Sequence, residues 1–227
     1  MKANIEEIQR RIQNAAESCD RRPETIRLVA VSKTIAADRV RAAVEAGVHI
    51  LGENYIQEAR DKIEALSDLD VEWHFIGHLQ RNKAKYAVDL FDLIHSVDSI
   101  RLAREIDKQA AKRGKQQNIL IQVNTGKEAT KSGIDEEDAL ALVRDTARLE
   151  HVAVKGLMTL PPYFYAPEKV RPYFRALRQL RDRIHEAQIP GIAMEALSMG
   201  MTGDFETAIA EGATLVRIGT AIYGERA

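Results

Sequence analysis

The sequence lacks most of the features that mark secreted, membrane-spanning or nucleic-acid-binding proteins. Its single cysteine, Cys19, cannot form an internal disulfide, which is typical of proteins in a reducing compartment. No apolar run approaches the roughly 18 residues of a membrane span, and the charged residues 1–11 do not resemble a secretory signal. Lysine and arginine (33) balance aspartate and glutamate (34), so no net charge attracts nucleic acid or anionic lipid. We therefore expect a soluble cytoplasmic protein without a nucleic-acid or membrane partner.

Short apolar segments alternate with helical patterns along nearly the whole chain of 227 residues. The predicted strands cover residues 27–31, 49–52, 71–76, 93–97, 118–123, 152–157, 195–198 and 214–218. A helix over residues 53–66 is predicted to follow the second strand, and Ser99 is predicted to cap a helix over residues 99–113. Strand starts recur roughly every 27 residues, close to the length of one strand–helix unit. Eight such units predict a closed (β/α)8 barrel of the α/β class. The alternative is an open doubly wound sheet, but no G-x-G-x-x-G follows the first strand.

One domain accounts for residues 1–227, because no linker or change of composition interrupts the series. Residues 1–25 precede the first strand. Ile5, Ile8 and Ile12 have helical spacing, so this region is predicted to form an additional N-terminal helix followed by a connector.

Lys33 stands where the first predicted strand ends. Most lysines at strand ends extend into solvent, so on this segment alone a surface lysine is the simpler interpretation. The alternative is an amine at the mouth of a pocket, where partial desolvation makes it a nucleophile.

The loops after the seventh and eighth strands favour the second interpretation. Barrels often bind phosphate at these two loops. Residues 198–204 and 219–221 contain the small residues that let backbone N–H groups approach an anion. The first and eighth strands are neighbours in a closed barrel, so Lys33 would adjoin Gly219 and Thr220. This arrangement predicts a site for a small phosphorylated aldehyde, either pyridoxal 5′-phosphate (PLP) or the sugar phosphate of a Schiff-base aldolase.

Arg217 helps to choose between these ligands. It lies two residues before Gly219, so both share one face of the strand. An arginine facing a pyridine nitrogen would leave that nitrogen unprotonated, whereas a carboxylate partner supports a full electron sink. The alternative role of Arg217 is a structural ion pair.

Six ordered motifs carry a family resemblance. They are AVSKT (30–34), GENYIQE (52–58), WHFIGHLQ (73–80), GLM (156–158), LSMGMTGD (197–204) and VRIGTAIYG (216–224). The motifs closely resemble the pyridoxal phosphate homeostasis protein family, and the resemblance covers residues 26–224. The fold of that family is similar to the N-terminal barrel of alanine racemase.

The resemblance implies that the chain binds PLP in vitamin B6 homeostasis. It implies a Schiff base between PLP and Lys33, with Arg217 near the pyridine nitrogen and Asn54 and Met158 lining the ring pocket. The implied phosphate contacts come from Ser198, Gly200, Met201, Gly219 and Thr220. The family is known as a carrier without established catalysis, which implies storage or delivery of PLP, with apo forms of PLP-dependent enzymes as recipients. We expect a monomer.

The alternative function is a racemase-like PLP enzyme. A racemase needs a second base on the opposite face of the ring, and the chain stops just after the eighth strand, so we expect no second domain to supply it. Tyr55 and Tyr223 are the available candidates, and both are interpreted as packing residues at the barrel rim.

Four further sequence features bear on function. His74 and His78 have metal-ligand spacing, but on a strand and loop they do not share a face, so no metal site is expected. The basic residues within 101–115 are interspersed with acidic ones, which is typical of a solvated helix face. Lys131 is a candidate second amine for PLP, with surface charge as the alternative. The aromatic loop at residues 163–165 is the segment least like the family, so its role as a lid is open.

Overall fold

The computed structural model describes residues 1–128, 132–162, 164 and 166–224. Its strands are β1 (Arg27–Val31), β2 (Ile50–Glu53), β3 (Glu72–Phe75), β4 (Leu93–Val97), β5 (Gln117–Val123), β6 (Val152–Thr159), β7 (Ala196–Ser198) and β8 (Leu215–Ile218). Its helices are α1 (Lys2–Glu17), α2 (Ala37–Glu45), α3 (Ile56–Ala65), α4 (Ala84–Leu90), α5 (Ile100–Ala111), α6 (Glu136–Thr146), α7 (Arg171–Glu186), α8 (Phe205–Ala210) and α9 (Thr220–Tyr223).

The strands pair in parallel and in chain order, and β8 closes on β1, with Ala30 opposite Ile218. The predicted (β/α)8 barrel is therefore confirmed. The serine cap of α5 is also present, since Ser99 Oγ accepts a hydrogen bond from the Leu102 N–H at 3.4 Å. Glu53, predicted as the first residue of a helix, instead ends β2 as a fully buried strand residue.

The additional helix α1 packs against the two shortest helices, α8 and α9. It buries Ile5, Ile8 and Ile12 almost completely. Each such side chain contributes about 1.5–3 kcal/mol when it is removed from water. The helix therefore covers apolar surface that α8 and α9 are too short to cover themselves.

Two apolar regions hold the fold together. The larger one lies between the sheet and the surrounding helices. The smaller one fills the barrel interior and contains Val29, Ile50, Leu93, Leu120, Met158 and Leu215. Strand residues alternate between the two faces, so residues two positions along from an interior residue also point inward. His95 follows Leu93 in this way, and Arg217 follows Leu215. The alternation thus places polar side chains inside the barrel.

No helix among the described residues is long and apolar enough to cross a membrane.

Candidate functional site

Lys33 lies in a tight turn directly after β1. The Ile35 N–H donates to the Ser32 carbonyl at 3.0 Å, which closes the turn. Thr34 has φ of 64°, a left-handed conformation that is unfavourable for a β-branched residue. Because β1 pairs with β8, the turn stands beside the residues that follow β8, as predicted. The backbone around Lys33 is therefore strained and closely defined.

A buried ionic cluster holds the residue that directly precedes Lys33. The Lys62 ammonium on α3 donates to Glu53 Oε1 (2.7 Å), to Glu58 Oε1 (2.6 Å) and to the Ser32 carbonyl. Ser32 Oγ also donates to Glu53 Oε1, at 2.7 Å. Burial raises the pKa of Glu53, although Lys62 and Ser32 oppose that shift. The cluster fixes the strand end from which Lys33 projects.

One sequence pattern indicates part of this cluster. Glu58 and Lys62 are four residues apart, so they meet on one face of α3. Nothing in the sequence indicated that Glu53, at the end of β2, would lie against α3 and join them.

Arg217 lies inside the barrel at the end of β8, with only 4% of its surface exposed. Its guanidinium donates to Ser198 Oγ at 2.5 Å and to the Thr159 carbonyl at 2.9 Å. Burial lowers the pKa of Arg217 to about 10, and the charge of Asp204 opposes the shift. Arg217 is therefore a cation at neutral pH. The alternative role of Arg217, a structural ion pair, does not describe this arrangement, because the direct partners of the guanidinium are a hydroxyl and a carbonyl.

Ser198 links Arg217 to two buried histidines. Its Oγ lies 2.9 Å from His95 Nδ1, and His95 Nε2 lies 3.1 Å from His74 Nδ1. His74 Nε2 is 3.4 Å from Glu72 Oε2. Burial lowers the pKa of His95 well below its ordinary value, and His74 is shifted downward for the same reason. From the sequence, His74 was recognised only as a possible metal ligand, and His95 was missed, although it lies two positions from the inward-facing Leu93.

The loop after β7 approaches α8 closely. Gly200 has φ of 90°, and a Cβ built there would lie 2.6 Å from the Ala208 Cβ and 3.0 Å from the Phe205 Cα. The Met201 N–H donates to Asp204 Oδ1 at 2.6 Å. Burial raises the pKa of Asp204, against the effect of this hydrogen bond. Glycine is therefore required at position 200 for the loop to pass so near the helix.

The loop after β8 runs directly into α9, with Gly219 as the residue before the helix. Thr220 Oγ1 donates to Thr202 Oγ1 at 3.2 Å, which joins the two loops. The structure thus brings Ser198, Gly200, Met201, Gly219 and Thr220 to neighbouring strand ends, on the same side of the barrel as Lys33.

Asn54 and Met158 occupy different environments. Met158 is fully buried in the apolar barrel interior and is paired in register with Ser198. Asn54 follows β2, and its buried Oδ1 accepts no hydrogen bond from the described residues. A cavity of about 470 Å³ adjoins Asn54 and is also lined by Tyr55, Leu79 and Tyr86. Neither Lys33 nor Arg217 lines this cavity.

The two tyrosines differ in exposure. Tyr55 is 58% exposed, whereas Tyr223 is buried, and its hydroxyl has no hydrogen-bond partner within the described part of the chain. Burial and the charge of Glu53 raise the pKa of Tyr223.

The remaining candidates are the two histidines with metal-ligand spacing, Lys131 and the aromatic loop. His74 is inside the barrel, but His78 is exposed and lies 3.1 Å from Ser132 Oγ through its Nδ1. Lys131, Tyr163 and Tyr165 are outside the described residues. Between the two tyrosines, Phe164 stacks on Tyr173 with ring centroids 5.8 Å apart.

Comparison with known proteins places this geometry in context. The family model of the alanine racemase N-terminal domain matches residues 3–227. A pyridoxal phosphate homeostasis protein of Aquifex aeolicus (strain VF5) is 50% identical over 216 residues, covering 95% of this chain and 94% of that protein. Its counterpart in Escherichia coli (strain K12) is 40% identical over 228 residues, covering 98% of this chain and 95% of that protein.

Solved structures are also similar to this chain. The structure of PipY from Synechococcus elongatus PCC7942, with PLP bound, has a TM-score of 0.83 and 37% identity, covering 94% of this chain and 100% of that chain. Alanine racemase of Clostridium difficile 630 has a TM-score of 0.75 and 16% identity, covering 99% of this chain and 57% of the racemase. At that identity the racemase shows a common fold alone.

Proposed function

We propose that this chain, which belongs to the family of the pyridoxal phosphate homeostasis proteins, holds PLP reversibly as a Schiff base on Lys33, for storage or delivery in vitamin B6 homeostasis. The observation that carries the proposal is the buried Arg217 guanidinium beside Ser198, at the strand end next to the Lys33 turn. The names of the relatives and the PLP bound to PipY support it.

The residues present fit a phosphorylated aldehyde. PLP supplies an aldehyde that condenses with a lysine amine. Lys33 would be that amine, and the Lys62 cluster would hold its turn in place. Arg217 would face the pyridine nitrogen. Because it is cationic at neutral pH and can only donate a hydrogen bond, it would leave that nitrogen unprotonated.

The other residues would define the pocket. Ser198, the Gly200–Met201 backbone, Gly219 and Thr220 would contact the phosphate, and the missing Cβ of Gly200 leaves its loop close to α8. Met158 offers an apolar surface to a ring, and Asn54 Oδ1, which accepts no hydrogen bond from the described residues, offers an acceptor. No metal takes part in this proposal.

A carrier agrees better with these residues than a racemase does. A general base must release its proton near the working pH. The raised pKa of Tyr223 works against that role, and Tyr55 extends into solvent. We propose that the protein acts as a cytoplasmic monomer without catalysis of its own, and that apo forms of PLP-dependent enzymes receive the PLP.

Borohydride trapping tests whether Lys33 forms the Schiff base with PLP. The purified protein is mixed with PLP, reduced with borohydride and digested, and the modified peptide is identified by mass spectrometry. We expect one adduct, on Lys33, and no adduct at that peptide in Lys33→Ala. Lys108→Ala, which removes an exposed lysine of α5, is the matched control and should retain the adduct. An adduct confined to Lys131 or Lys62 would contradict the assignment. Sustained turnover of an amino acid by the wild type, lost in Lys33→Ala, would contradict the carrier function.

A further inference from the structure

A chain of hydrogen bonds crosses the barrel interior from the Arg217 end to the opposite, N-terminal end. It runs through Ser198, His95, His74 and Glu72, and the three links after Ser198 are 2.9, 3.1 and 3.4 Å long. The Ser198 side chain is fully buried, and both histidines are at most 1% exposed. We call these four residues the interior relay.

The chemistry of the two ends determines where each proton lies. A guanidinium can only donate, so Ser198 Oγ accepts from Arg217. The hydrogen bond from His74 lowers the pKa of Glu72 to about 2, so this carboxylate can only accept. His74 must therefore carry its proton on Nε2. As a neutral imidazole it then accepts at Nδ1.

The same logic continues along the relay. His95 Nε2 must donate to His74 Nδ1, so the neutral His95 accepts at Nδ1. The single proton of Ser198 fills that position. Every link thus points from Arg217 toward Glu72. The directions follow from both histidines being neutral, as their burial favours.

A phosphate at Ser198 would disturb this order. A phosphate oxygen is a hydrogen-bond acceptor, so the Ser198 hydroxyl would donate its hydrogen bond to the phosphate instead of to His95. His95 Nδ1 then faces an oxygen with no proton directed at it. The conflict ends only if Nδ1 becomes protonated and donates to Ser198 Oγ, which can still accept.

We propose that phosphate binding at Ser198 deposits one proton on His74 through the interior relay, so that binding of a phosphate dianion is linked to the uptake of one proton. This inference rests on the proposed function for its phosphate contact. The protein would then bind phosphate esters more weakly as the pH rises.

The proton transfers balance. A phosphate monoanion gives its proton to Ser198 Oγ while the Ser198 proton moves to His95 Nδ1. The His95 Nε2 proton moves to His74 Nδ1, and His74 keeps its Nε2 proton toward Glu72. No bond between heavy atoms changes, and His74 ends with two protons. A dianion reaches the same state after taking one proton from solvent.

The N-terminal end of the barrel suits a cationic His74. His74 and Glu72 line a cavity of about 500 Å³ there. The charged groups around it are Glu24, Arg27, Glu72, Asp92, Lys155 and Glu195. Because four carboxylates outnumber two cations around this cavity, the charges there favour the protonated form of His74. At the other end, Arg217 donates to Ser198, and the charge of Asp204 acts on Arg217.

Calorimetric titration with pyridoxine 5′-phosphate tests the relay, because this alcohol has the phosphate but cannot form a Schiff base. Titrations at about pH 8, above the second phosphate pKa of about 6, are made in two buffers of different protonation enthalpy. We expect the wild type to take up about one proton per ligand, and its Kd to rise about tenfold per pH unit above neutrality.

His95→Gln and His74→Gln keep hydrogen-bonding groups but cannot pass a proton, so both should bind with no proton uptake and a flat pH profile. His185→Gln, at an exposed position of α7, is the control and should behave as the wild type. In the free protein, side-chain ¹⁵N spectra should show both relay histidines protonated at Nε2.

Three results would count against the relay. Wild-type binding without proton uptake, or unchanged uptake in both variants, overturns the relay alone. Failure of pyridoxine 5′-phosphate to bind overturns the relay and the proposed phosphate site together. Conversely, the wild type could take up a proton and yet form no borohydride-trapped adduct on Lys33. The proton uptake would then support the relay, and the missing adduct would contradict only the proposed Schiff base.

Discussion

The two ends of the barrel handle charge in opposite ways. At the C-terminal end, Arg217 and the Lys62–Glu53 pair are almost completely buried, with side-chain exposures of 7% and 0% for the pair. At the N-terminal end, the Arg27–Glu72 pair is about half exposed, at 48% and 49%. Solvent screens the second pair but not the first. The buried groups at the C-terminal end therefore depend on one another for stability, which suits a site that must be held rigidly.

The largest difference between the two ends should appear on removal of Lys62. Lys62→Met leaves the fully buried Glu53 without its cation, and breaking such a pair costs about 3–5 kcal/mol of unfolding free energy. Urea denaturation at neutral pH measures the loss. The control Lys108→Met changes an exposed lysine and should alter stability by less than about 0.5 kcal/mol. Similar losses in the two variants would show that the C-terminal cluster is no more interdependent than surface charge.

A smaller effect is expected at the loop after β7. Gly200→Ala forces a Cβ against Ala208 and requires a residue with a side chain at φ of 90°, which should cost about 1–3 kcal/mol. Thermal unfolding measures the stability, and pyridoxine 5′-phosphate binding should weaken as the loop shifts. Gly203→Ala is the matched control in the same loop, because no atom in the described part of the chain lies within 4 Å of its Cβ position. If both variants unfold at the same temperature, the close approach at Gly200 does not constrain the loop.

The smallest effect is expected at the N-terminal end. The pKa of Glu72 is lowered from 4.5 to about 2 in the folded protein, so its stabilisation is present above pH 4.5 and disappears as the pH falls toward 2. Because the side chain is half exposed, Glu72→Gln should cost less than about 1 kcal/mol at neutral pH. Urea unfolding of both proteins at several pH values should show the difference shrinking below pH 4.5. A difference that grows on acidification would contradict the lowered pKa.

The apolar periodicity of the sequence predicted the barrel well, because parallel strands and their helices are local patterns. It also predicted that Lys33, Ser198, Gly200, Met201, Gly219 and Thr220 lie at neighbouring strand ends. This was possible because, in a closed barrel, strand order alone determines which strand ends are neighbours.

The groups that surround these residues depended on the tertiary structure. Glu53 appeared to begin a helix, and only its position at the buried end of β2 brought it to Lys62 and Ser32. The spacing of His74 and His78 is typical of metal ligands, but the pairing of β3 with β4 puts His74 against His95 inside the barrel. Such contacts join residues far apart in the chain, and their directions depend on register and burial.

The sequence by itself thus determined the architecture, the position of the lysine and the family, because each is encoded in local patterns. The tertiary structure alone decided which polar groups are buried together and which way their hydrogen bonds point. The physical reason is desolvation: a carboxylate, an imidazole or a guanidinium acquires its chemical character from the neighbours that replace water around it.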